Sequence, residues 1–97
     1  MYEKEIEHIR NLTRLGKFVW STHILDSAEK RNITKEDVLS CIFSGEIIEY
    51  YPDDYPYSSC LVFGYSTDST TIHTVVAFND EKAVLVTVYK ARHKTFS

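Results

Sequence analysis

Three places in this chain hold side chains suited to moving protons and holding charge beside a phosphate. The first is STHILDSAEKR, residues 21–31. Wound as a helix at about 100° per residue, it sets His23, Ser27, Lys30 and Arg31 along one polar stripe, with Ile24, Leu25 and Ala28 opposite. The second is His73, alone among apolar residues in TIHTVVAF, residues 71–78. The third closes the chain: Tyr89, Lys90, Arg92, His93 and Lys94. Imidazoles gain and lose protons near neutral pH, and a guanidinium offers a phosphate two parallel hydrogen bonds. Metal-independent RNA cleavage needs a base for the 2′-hydroxyl proton, an acid for the leaving 5′-oxygen, and cations for the charged phosphorane. His23, His73, Arg31 and one of Lys90 or Arg92 would supply that set. Each place also has a plainer reading. The stripe matches the solvated face of any amphipathic helix, His73 suits a satisfied core position, and the tail suits solubilising charge.

Other chemistries find less support. Two histidines are too few to define a metal site, and no carboxylate lies at ligand spacing from either, so no metal and no cofactor is assigned. Cys41 and Cys60 lack CxxC spacing and sit in apolar runs, which predicts buried free thiols in a reducing cytoplasm. The formal net charge of −3 argues against a strong general affinity for nucleic acid. The charge is uneven, however: EIIEYYPDD (46–54) is acidic and KARHK (90–94) is basic. Asp53 and Asp54, with Tyr50, Tyr51, Tyr55 and Tyr57, form either an exposed hairpin tip or a contact for a protein partner. MYEKEIEHIR has no apolar signal segment, and no run is long enough to span a membrane, so a cytoplasmic location is expected.

Residues positioned this way need a scaffold, and 97 residues suggest one domain, 1–97. Ile6, Ile9 and Leu12 recur at helical spacing, predicting a helix over 2–15 that Gly16 ends. Its apolar stripe leaves pairing with a second copy open. KFVW (17–20) is short and extended. Ser21 or Thr22 caps a second helix to about Arg31, where Asn32 suits a left-handed exit. Thr34 opens T-x-x-D, a capping-box variant, before a third helix that Gly45 ends. Beyond it the period changes to that of strands at 46–51, 59–65, 71–78 and 83–89, joined by short turns. The order predicts an α+β fold, with N-terminal helices on one face of a four-stranded antiparallel meander.

The run S-x-H-x-L-x-x-x-x-x-R-x-I-T-x-x-D-V (21–38), followed by GEIIEYYPDDYPYSSCLVFGY (45–65), IHTVVAF (72–78) and VTVY (86–89), resembles the bacterial domain-of-unknown-function family 4258. The likeness spans 18–89, leaving the helix at 2–15 and the tail at 90–97 outside. It implies a fold similar to the RelE-like toxins and the barnase–EndoU–colicin group. It also implies a toxin-type ribonuclease acting without metal, paired with a cognate antitoxin. The site residues it implies are His23, Arg31, His73 and Tyr89; the polar stripe and the basic tail add Ser27, Lys30, Lys90 and Arg92 as candidates for binding substrate. The family pattern has arginine where Ser27 stands and glycine where Asn32 stands. Ser27 therefore removes a cation from the stripe. The alternative is a non-catalytic protein-interaction module, or a degenerate toxin, on the same scaffold.

Overall fold

The computed structural model of the protein describes residues 1–91. Arg92, His93 and Lys94 of the basic tail lie outside the described residues. Three helices and five strands follow in the order α1 (Glu3–Arg14), β1 (Phe18–Trp20), α2 (Thr22–Lys30), α3 (Lys35–Ser44), β2 (Glu46–Tyr51), β3 (Ser58–Tyr65), β4 (Thr71–Phe78) and β5 (Ala83–Lys90).

Local chemistry explains the helix ends. Glu3 and Glu5 sit in the first turn of α1 and Arg14 in its last, matching the helix dipole. Ser21 caps α2 by accepting the Ile24 N–H at 3.0 Å. Asn32 takes the left-handed exit at φ 55°. Thr34 and Asp37 close a reciprocal capping box on α3, and Asp37 Oδ1 also accepts from the Thr67 N–H (3.0 Å) and hydroxyl (2.6 Å). Burial opposes the Asp37 charge, but the bonds from Thr34 and Thr67 outweigh it and hold the carboxyl down at about 2. A carboxylate held this low stabilises the fold above its unfolded value of 3.8, and that stability is lost as pH falls towards 2. Asp37→Ala should therefore cost about 1–2 kcal/mol in urea unfolding at pH 7. The difference from wild type should shrink as the buffer is taken below pH 4.

The sheet order is β1-β5-β4-β3-β2. Strands β2 to β5 form the expected antiparallel meander. The expectation of four strands is corrected by β1, which pairs in parallel with β5 (Phe18 to Ala83, Trp20 to Leu85) and makes the sheet mixed. Its three residues are too few to show alternation, and its partner lies at the other end of the chain. The expectation that every helix covers one face is also corrected. Helix α3 packs on β3 and β4, and α1 lies against β2 and α3. Helix α2 instead runs beside β5, at the sheet edge that β1 leaves uncovered.

The core lies between the sheet and α1 and α3. In β4, Ile72, Thr74, Val76 and Phe78 are buried, while His73, Val75 and Ala77 point to the opposite face. The Ile6, Ile9 and Leu12 stripe of α1 is buried in the same cluster, so it packs within the protomer. Both cysteines are free and buried, and burial pushes their thiols up to about 11 for Cys41 and about 12 for Cys60. The buried Thr74 hydroxyl donates to Cys41 Sγ at 3.4 Å, which accounts for a polar side chain on the core face. Among the described residues, no helix is long and apolar enough to cross a membrane.

Candidate functional site

Among the described residues, no helix packs across the second face of the sheet, and a cleft of about 950 Å3 opens there. Its floor is made by Leu61 of β3, His73 of β4 and Tyr89 of β5, with Ile48 and Glu49 of β2 on one side. Lys30, Arg31 and Asn32, at the end of α2, form the other side, and Lys90 closes the end. Strand register places Phe63, His73 and Tyr89 in one row across the sheet. Their rings touch in sequence, with centroids 5.3 Å apart for Phe63–His73 and 5.2 Å for His73–Tyr89.

The position of α2 follows from Ser21 and Ser27, which replace the missing length of β1. The Ser21 N–H donates to Leu85 O at 3.1 Å, and its hydroxyl donates to Val86 O at 2.9 Å. The buried Ser27 hydroxyl donates to Ile24 O at 3.2 Å, and accepts from Thr87 Oγ1 at 3.2 Å and the Val88 N–H at 3.4 Å. Two backbone groups of β5 beyond β1, Val86 O and the Val88 N–H, are thus satisfied by side chains. The left-handed Asn32 then turns the chain, leaving Lys30 and Arg31 at the rim. Arg31 Nη1 donates to Ser27 O at 3.3 Å, and among the described residues no carboxylate pairs with Arg31. Lys30 meets Asp26 at 3.2 Å in an exposed pair, which contributes little.

His73 is the most unusual group in the cleft. Its Nδ1 is buried and has no hydrogen-bond partner among the described residues. Burial lowers its pKa from 6.5, partly opposed by the charge of Glu49, which favours the protonated ring. Burial thus favours the uncharged imidazole of His73, and the carboxylate of Glu49 in the same cleft favours the charged one. The lowered value of His73 also carries a sign for stability. As pH falls through 6.5, the unfolded chain takes up a proton that folded His73 resists, so stability falls from there downwards. Urea unfolding between pH 7.5 and 5.5 should show this loss, and His73→Leu should remove its share of the slope.

The residues singled out in the sequence fall into distinct places. Arg31, His73, Tyr89, Lys30 and Lys90 line one cleft. His23 does not line it: it is exposed in the first turn of α2, about 12 Å along the helix from Arg31. Ser27 is buried with its hydroxyl engaged by β5. Arg92 lies outside the described residues. Sequence reasoning missed Glu49, which lines the cleft and whose Oε1 accepts the Tyr51 hydroxyl. Alternation would have found it, but a β-bulge at Ile48 breaks the pattern. The tyrosine loop lies beyond the other end of these strands, with Tyr55 exposed at its tip. Among the described residues, no group of three or more His, Cys, Asp or Glu is placed to hold a metal ion.

No curated protein and no solved structure matches the chain. A family model does, over residues 20–90, which takes in every residue lining the cleft and leaves α1 outside. The chain belongs to the family described as Domain of unknown function (DUF4258).

Proposed function

We propose that the cleft binds a phosphodiester of RNA and cleaves it without metal, as a toxin-type ribonuclease would. One observation carries this reading. His73, whose ring burial keeps in its uncharged form more readily than water would, shares one cleft with Lys30, Arg31, Lys90 and Glu49. His73 takes the proton of the 2′-hydroxyl as that oxygen attacks phosphorus, and the Glu49 carboxylate stabilises the imidazolium that forms. Arg31, Lys30 and Lys90 bear the charge of the phosphorane. The Tyr89 hydroxyl protonates the departing 5′-oxygen, leaving a 2′,3′-cyclic phosphate and a 5′-hydroxyl. Tyr89 thus takes the proton-transfer role that His23 was expected to fill.

The kinship with RelE-like and barnase–EndoU–colicin toxins belongs to the same proposal. A cognate antitoxin would have to neutralise Lys30, Arg31 and Lys90, so an acidic segment is its expected feature. The second reading, a non-catalytic interaction module, draws on the exposed Tyr51 and Tyr55 beside Asp53 and Asp54. Induction in a bacterial host separates the two. The nuclease reading expects growth arrest and RNA decay with wild type, and neither with Arg31→Ala or His73→Ala at equal soluble expression. A wild type that is harmless at high expression favours the interaction module.

A further inference from the structure

The aromatic row does not end at the cleft. Phe63 also touches Tyr65, two residues along β3 on the same face, with ring centroids 6.4 Å apart. Tyr65, Phe63, His73 and Tyr89 therefore form a continuous chain of rings across the cleft face of the sheet. Its outer member, Tyr65, is 46% exposed. Register sets Tyr65 opposite Thr71, one row beyond Ile72 and Lys90, so the exposed ring and a rim cation lie at the same end of the sheet. The Tyr65 backbone N–H donates to Ser44 Oγ at 3.0 Å, which fixes that end of β3 to α3. The ring is thus carried on a rigid strand and not on a loop.

An exposed ring on a sheet surface beside cations suits a nucleobase, because each base offers an aromatic face and each linkage a phosphate. Duplex RNA keeps those faces stacked inside the helix, so only unpaired bases can use such a surface. We propose that Tyr65, backed by Phe63, is a stacking subsite for an unpaired base next to the phosphate held at Arg31 and Lys90. The substrate is then single-stranded RNA. This inference rests on the RNA reading of the cleft.

The test uses a short single-stranded RNA with 2′-O-methyl riboses, which blocks cleavage, carrying 2-aminopurine at one position. A matched strand has an abasic site there. Fluorescence should be quenched on binding to wild type and to Tyr65→Phe. Tyr65→Ala, which leaves the backbone bond to Ser44 intact, should bind roughly tenfold more weakly. The abasic strand should bind wild type and Tyr65→Ala equally, because the lost contact is the base itself. If RNA is bound and cleaved but Tyr65→Ala matches wild type on every strand, the stacking subsite is overturned and the cleft reading stands. If the unmodified strand is neither bound nor cleaved by wild type, both fall, and the ring surface is left to a protein partner.

Discussion

Gly64→Ala is expected to destabilise the fold by about 3 kcal/mol, lowering the melting temperature by roughly 15 °C for a domain of this size. Helix α3 lies so close on β3 that a Cβ at Gly64 would stand 2.3 Å from Cys41 O and 3.0 Å from Cys41 Cα. These are backbone atoms of a buried helix turn, so relief requires lifting α3 off the sheet. Gly45 faces the same restriction, since its Cβ would meet Phe63 O at 2.5 Å and Cys41 O at 2.6 Å. The close approach has a consequence for the opposite face, because β3 carries Leu61, Phe63 and Tyr65 there. Gly16→Ala is the control. Its φ of 74° disfavours alanine, but among the described residues no atom beyond its chain neighbours lies within 4 Å of the added methyl, so about 1 kcal/mol is expected. Urea midpoints decide the matter: equal midpoints for Gly64→Ala and wild type would mean that α3 does not pack on β3 this closely.

His73→Ala is expected to lower the cleavage rate of a single-stranded RNA by about a hundred- to ten-thousandfold, or about 3–5 kcal/mol in barrier height. Folding should be kept, since the ring sits on the cleft side of β4 and not in the core. The wild-type rate should rise with pH and reach its plateau before neutrality, because the base must be neutral and burial holds His73 below 6.5. The groups facing it that also titrate are Glu49, Tyr89, Lys30 and Lys90. Glu49→Gln should move the acid limb to still lower pH, as it removes the charge that favours the imidazolium. Arg31→Lys should keep part of the activity that Arg31→Ala loses, since a point charge remains but the bidentate fork does not.

Much of this scaffold could be read from the chain, for identifiable physical reasons. Caps announced themselves: Thr34 with Asp37, Ser21, and the left-handed Asn32 are local signals that need no tertiary partner. The meander was legible because short turns separate strands of strong period-two pattern, and His73 stood out by breaking an apolar run. What was hidden depended on distant contacts. β1 is only three residues long and is stabilised by pairing with β5. Ser27 looked like part of a polar stripe, but its hydroxyl closes the edge of β5, which makes a serine at that position structural. Glu49 entered the cleft through a bulge at Ile48 that nothing in EIIEYY marks. His23 shares a helical stripe with Arg31, yet a stripe fixes only the angle around the axis, and the two lie near opposite ends of α2.

One chemical substitution tests the cleavage chemistry most directly. A single-stranded RNA oligonucleotide with one preferred cut is incubated with purified protein in a chelator, beside the same strand bearing one 2′-deoxyribose on the 5′ side of that bond. The proposed chemistry requires the all-ribose strand to be cut to a 2′,3′-cyclic phosphate, the deoxy-substituted bond to survive, and His73→Ala to leave both strands intact. Equal cutting of the two strands would exclude attack by the 2′-hydroxyl, and an untouched all-ribose strand would exclude a ribonuclease at His73 altogether.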